Sequence, residues 1–155
     1  MFKKLLLATS ISAIAVCHSA TIDVNIPEKS FSSFDTPDAY NVTSYLLVFD
    51  SEEEYNIIAQ SIDKPISIAF LVSDYSIGSF TANKLGEVAS SLASDKLVAD
   101  KEYLCAVLSA NGMSYILSTP VKAVAHGDGN GSTPASFSQE NFSKGWQFFP
   151  SCDIR

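Results

Sequence analysis

The sequence is poor in the residues that carry most protein chemistry. It holds three cysteines, two histidines and one tryptophan among 155 residues. His18 lies near the start, so His126 is the one imidazole in the body of the chain. That excludes a site built from several histidines. Basic residues are also scarce and nowhere form a run. After residue 20 there are 17 Asp and Glu but only 8 of the 10 Lys and Arg, a net charge of −9 with His neutral. A field of that sign repels phosphate backbones and anionic headgroups, so nucleic acid is not an expected partner. No apolar run is long enough for a permanent membrane span, and there is no internal repeat.

What is present begins with an address. Lys3 and Lys4 precede the uncharged, mostly apolar run Leu5–Val16, and His18-Ser19-Ala20 offers a small residue before a cut. This is the layout of a bacterial secretory signal peptide over residues 1–20. The mature chain is expected to start near Thr21, in the periplasm or outside the cell. Its 135 residues, 155 less the first 20, fit one domain, residues 21–155. A variant of this reading makes Cys17 the lipid-modified first residue of an envelope component, although Val16 replaces the small residue normally found before such a cysteine.

With Cys17 inside the leader, Cys105 and Cys152 remain. Two cysteines in an exported chain pair most simply with each other. The 46 residues between them would close a loop worth roughly 4 kcal/mol in the chain-entropy account and staple the tail to the body.

Along the chain, residues 27–43 are rich in Ser, Asp, Pro and Asn and read as an irregular approach to the strand Ser44–Asp50. A second short apolar run within Pro65–Asp74 reads as another strand. Glu102–Ala110 and Met113–Thr119 flank Asn111-Gly112, a strong two-residue hairpin signal because both residues tolerate positive φ. Val121–Ala125 continues after a bend at Pro120. Two segments carry helical signals. In Ser51–Ile62, Ser51 and Glu54 stand in capping-box register. In Asn83–Ser94, Leu85, Val88, Ala89 and Leu92 share one helical face, weakened by Gly86. The expected fold is mainly β, an antiparallel sandwich with one or two short helical inserts; a compact α+β fold is the alternative.

From Leu97 to Val121 the chain resembles a fibronectin type III module. Leu97 lies six residues before Tyr103 in LVADKEY, Val107 follows four residues later, and Ser118-Thr119-Pro120 closes the stretch. The resemblance implies a corner role for Tyr103, whose hydroxyl ties a crossing loop to the next strand. It implies a scaffold rather than an activity. The early tryptophan of that family is missing here.

Catalytic patterns are thin. His126 borders the Gly-rich stretch GDGNGSTPAS, with no G-x-S-x-G elbow nearby. Ser61 to Lys64 matches S-x-x-K without its partner motifs. Asp128, Asn130 and Ser132 alternate as in calcium loops, but Gln139 stands where an EF-hand needs Glu, so no metal site follows. Glu52-Glu53-Glu54 reads as a helix start favoured by the helix dipole. No cofactor is implied. The candidate binding residues are the tail aromatics Phe142, Trp146, Phe148 and Phe149, with loop Gly127–Ser138 beside them. The expected function is a non-enzymatic binding or adhesion module for a protein or glycan. A structural component of an envelope assembly is the alternative, and a small hydrolase stands third.

Overall fold

A computed structural model describes residues 19–63, 67–127 and 133–150. The chain is mainly β and forms two sheets facing each other as a sandwich. The strands are β1 (Ala20–Ile26), β2 (Asn41–Phe49), β3 (Ser76–Asn83), β4 (Val88–Ser94), β5 (Glu102–Asn111), β6 (Ser114–Leu117), β7 (Val121–Val124), β8 (Ala135–Ser136) and β9 (Trp146–Phe148). Among the described residues three short α-helices accompany them, α1 (Glu52–Ala59), α2 (Ile68–Tyr75) and α3 (Gln139–Ser143), with a 3-10 turn at Gln60–Asp63 after α1. The smaller sheet runs β4-β1-β8 and the larger β3-β2-β5-β6-β9, with β7 also pairing β5.

The strand β1 alternates strictly. Ala20, Ile22, Val24 and Ile26 face the interior, while Thr21, Asp23 and Asn25 face outward. Ala20, the residue before the expected cleavage point, is therefore already part of the strand and only 2 % exposed. The larger sheet is covered on both faces, which explains its near-continuous apolar runs. Val42, Leu46, Tyr103, Cys105 and Val107 fill the space between the sheets. Leu47, Phe49, Ala106 and Leu108 point the other way, into a second core closed by Tyr55 and Ile58 of α1 and Leu71 of α2. Within the inter-sheet core, Ser44 and Ser109 satisfy one another through hydroxyls 2.8 Å apart.

The helix expected after Ser51 is present. The Ser51 hydroxyl accepts from Glu54 N–H, and the Glu54 carboxylate reaches back to Asp50 N–H. Two other expectations are corrected. The run within 65–74 is not a strand but α2, capped by the Ser67 hydroxyl accepting from Phe70 N–H. Ile68, Leu71, Val72 and Tyr75 lie on the second core at helical spacing, and Phe70 is left exposed. The second helix expected at 83–94 is instead a turn followed by β4. The Asn83 side chain accepts from Leu85 N–H and its carbonyl from Gly86 N–H, ending the helical register. Beyond the turn, Ile22 and Val24 of β1 select alternate residues of β4 as partners.

The hairpin at 102–119 forms with its loop shifted by one residue. Asn111 pairs with Ser114 as the last rung, so the loop is Gly112-Met113 rather than Asn111-Gly112. Gly112 supplies the positive φ, at 64°. The Asn111 side chain serves another purpose, accepting from Asp35 N–H in the strap that crosses the sandwich end. Phe31 and Phe34 of that strap are buried edge to face, with ring centroids 5.0 Å apart.

Candidate functional site

The tail aromatics do not converge on one surface. Phe142, on α3, is buried between the sheets with its ring centroid 4.7 Å from that of Phe31 and 5.9 Å from that of Phe137. Phe148 is buried in the second core, on the opposite face of the larger sheet. Trp146 is half-buried against that core, and only Phe149 is well exposed, at 69 %. Gly145 admits the chain into β9 because a Cβ there would stand 2.5 Å from the Leu117 carbonyl oxygen. The tail thus closes the fold with its large rings. As a joint binding surface the four aromatics are corrected to two core residues, a half-buried Trp146 and a lone exposed Phe149.

The other residues singled out by sequence occupy structural positions. Tyr103 is buried at the start of β5, and its hydroxyl accepts from Val98 N–H at 2.9 Å. Among the described residues Cys105 has no disulfide partner; it lies in the inter-sheet core with no exposed surface, and burial pushes its thiol pKa up to about 12. Its expected disulfide partner Cys152 lies outside the described residues, as do Lys64 of the S-x-x-K match and Asp128, Asn130 and Ser132 of the calcium-like loop.

One group of polar side chains gathers on the outer face of the three-stranded sheet. Asp23 of β1 stands opposite Ser91 of β4. The Ser91 hydroxyl donates to Asp23 Oδ1 at 2.6 Å, and His126 Nε2 lies 3.1 Å from Asp23 Oδ2. His126 reaches this position because its backbone forms a bridge with Thr21, donating to and accepting from it at 2.8 Å each way. Its Nδ1 is 3.0 Å from the Gly127 carbonyl oxygen. Both ring nitrogens therefore face acceptors, and only the imidazolium donates from both. The Gly127 carbonyl and then the Asp23 carboxylate accordingly raise the His126 pKa. The Ser91 hydroxyl, and less strongly His126, hold Asp23 below the usual carboxylate range against the pull of partial burial.

This constellation contains the three residue types of a nucleophilic triad in an order that cannot perform its chemistry. The carboxylate stands between the hydroxyl and the imidazole, so His126 has no path to the Ser91 proton. Among the described residues, no group of three His, Cys, Asp or Glu side chains is placed to hold a metal ion.

Along the same ribbon, beyond the Asp23–Ser91 pair, lies an open groove of about 300 Å³. Asn25 and Ile26 of the central strand, with Pro27 just after it, run through the groove, flanked by Glu87, Val88 and Ala89 on one side and by Ser136 and Phe137 on the other. Its lining is mainly apolar, and Asn25, Glu87 and Ser136 supply its polar groups. The face is shallow because the outward residues of β4 are small. The signal that locates it is the period-two alternation of ATIDVNI, which places Thr21, Asp23 and Asn25 in a row. Among the described residues no helix is long and apolar enough to cross a membrane.

No family model matches the chain, and no curated protein or solved structure matches it.

Proposed function

We propose that the protein is an exported, non-enzymatic binding module that recognises a protein or glycan through the outer face of its three-stranded sheet. Export rests on the leader-like residues 1–20. The observation that carries the reading is the juxtaposition along β1 of an open, mainly apolar groove and a ladder of hydrogen-bonding side chains, Asp23, Ser91, His126 and Asn25. Such a mixture of apolar lining and few oriented polar groups suits recognition. The acid–base groups in it are already spent on each other.

The scaffold supports the same reading. The strands β1, β2, β3, β4, β5 and β6/β7 enter the two sheets as B, C, C′, E, F and G do in an immunoglobulin-type sandwich. Tyr103 occupies the E–F corner with its hydroxyl bonded back to Val98. A fibronectin type III-like module is therefore the reading we favour for its ancestry, and modules of this shape present ligand surfaces on a rigid frame.

The test fills the groove. Biotinylated mature protein and its Ser136→Trp variant, matched for thermal midpoint, are applied to a glycan array and to blotted envelope proteins. Wild type should be retained on at least one surface and the variant should lose that retention, while Phe149→Ala keeps it. Equal retention of Ser136→Trp, or turnover of nitrophenyl ester or glycoside substrates, would overturn the reading.

A further inference from the structure

While β3 packs over the inner face of β4 with Gly78 against Leu92, the outer edge of β4 is, among the described residues, the one long sheet edge without a ladder partner. Its hydrogen-bonding groups can be assigned from the ladder on its other side. Thr21 uses both its N–H and its C=O on His126, and Asn25 C=O accepts from Phe137 N–H, so the odd residues of β1 face away from β4. Their partners on β4 are Ala93, Ser91 and Ala89. In an antiparallel ladder these three must then direct N–H and C=O away from β1, to the free edge. Among the described residues no backbone or side-chain group bonds them there. All three are exposed.

Sheet edges are ordinarily blunted by charge, proline or a bulge. The VASSLAS segment of β4 has no charge and no proline, and its seven-residue register against β1 is unbroken. The remaining edges are blunted or short. The register of β3 against β2 shifts at Leu46/Leu47, and the Lys96 ammonium caps the Ser76 carbonyl at its start. The strands β8 and β9 have two and three residues.

The ends of the open edge carry the information about its occupant. Exposed Glu87 precedes β4 and exposed Asp95 follows it. A second copy paired antiparallel about Ser91 would set Ala89 against Ala93, but also Glu87 against Asp95 at both ends. Like charges directly opposite destabilise a strand pair. The two acids thus oppose self-pairing while favouring a strand with cationic ends.

We infer that β4 accepts an extended segment of another protein by strand addition, with small or β-branched residues in its middle and Lys or Arg at its ends. Main-chain bonds to Ala89, Ser91 and Ala93 supply the pairing, and Glu87 and Asp95 select the charge. This rests on the proposed binding function and names its partner class. Glu87 and Ala89 also line the groove, so an added strand continues the same surface.

The probe is the peptide Lys-Val-Thr-Val-Thr-Val-Thr-Val-Lys, N-methylated at each Val so that it has one pairing edge and cannot self-associate. Amide hydrogen exchange on the mature protein is read residue by residue. In the free protein Ala89, Ser91 and Ala93 should exchange much faster than Ser90 and Leu92, and the peptide should slow those three by about tenfold or more at saturation. The same peptide methylated at every Val and every Thr, with no pairing edge left, should have no effect. Ala93→Pro removes one outward N–H and leaves the β1 ladder intact, and should weaken binding by about tenfold. Glu87→Lys with Asp95→Lys should transfer preference to a peptide with Glu in place of Lys. No protection at about 1 mM peptide, equal effects of the singly and doubly methylated peptides, or unchanged binding by Ala93→Pro would overturn the inference. So would concentration-dependent protection of the three amides in the free protein, which would mean self-pairing. Loss of array retention by Ser136→Trp alongside a silent peptide would leave the binding function standing and remove only its strand-addition form.

Discussion

The Ser118 hydroxyl stands in for a main-chain carbonyl opposite Val107. Its Oγ accepts from Val107 N–H at 2.9 Å, and Ser118 N–H donates to the Val107 carbonyl at the same distance. The strands β6 and β7 lie end to end along one edge of β5, and the Ser118-Thr119-Pro120 bend between them would otherwise leave that rung unmade. Ser118 has no exposed surface, so no water can replace the hydroxyl. The Tyr55 hydroxyl donates to the Ser118 carbonyl at 2.9 Å and fixes the bend from the helical side. Ser118→Ala strands a buried N–H and should cost roughly 1–3 kcal/mol in urea unfolding. A midpoint equal to wild type would mean that the bend relaxes to pair Val107 in another way.

Tyr103→Phe removes a single hydroxyl from a well-filled site. Val98 N–H loses its acceptor, and the ring keeps its burial between the sheets. The expected loss is about 1 kcal/mol, the net worth of one hydrogen bond. Because the bond ties the crossing loop to β5, the exchange rate of the Val98 amide should rise with it. An unchanged Val98 amide in a destabilised variant would assign the loss to packing alone.

The parts of the fold legible in the sequence are those set by local chemistry. Ser51 and Glu54 announce α1 because the cap is made between neighbours, and Asn111-Gly112 announces the hairpin because positive φ has few providers. The loop nevertheless forms one residue later, since the distant Asp35 claims the Asn111 side chain. At 68–75 an apolar run without evident alternation is compatible with a strand or a helix. The choice is made by the Ser67 cap and by a second core that can receive only one side of it. At 83–94 a helical face exists on paper, but β1 is available to pair with alternate residues. Tertiary pairing overrides a weak propensity there. The tail aromatics are visible as composition, whereas their burial on two opposite faces of one sheet depends on topology that no local pattern carries. Asp23, Ser91 and His126 are 68 and 35 residues apart in sequence order and are joined only by strand pairing and one bridge.

Cys105 should be chemically silent in the native protein. Its thiol faces the inter-sheet core, and only the thiolate reacts with alkylating agents. With a pKa pushed up to about 12, it has almost no thiolate at neutral pH. Iodoacetamide labelling should therefore follow the rate of global unfolding and accelerate in denaturant. Labelling in denaturant with and without reductant also counts the thiols free to react, which decides whether Cys152 is joined to Cys105. Rapid labelling in native buffer would contradict the packing of β5.

The His126–Asp23 pair makes stability depend on pH in a definite direction. His126 has a raised pKa in the folded chain, so its contribution is complete below its unfolded value near 6.5 and is lost as pH rises through the folded value. Asp23 has a lowered pKa, so its contribution is complete above its unfolded value near 3.8 and is lost as pH falls through the folded value. Both act together between about pH 4 and 6.5. The difference in thermal midpoint between wild type and His126→Gln should therefore be largest near about pH 5.5 and shrink toward about pH 8. Asp23→Asn should flatten the same profile, since it removes one of the two acceptors that hold the imidazolium. Ser91→Ala should leave the alkaline limb in place, because Ser91 bonds Asp23 and not the ring. A midpoint difference that is constant across this range would mean that His126 contributes only through its backbone bridge to Thr21.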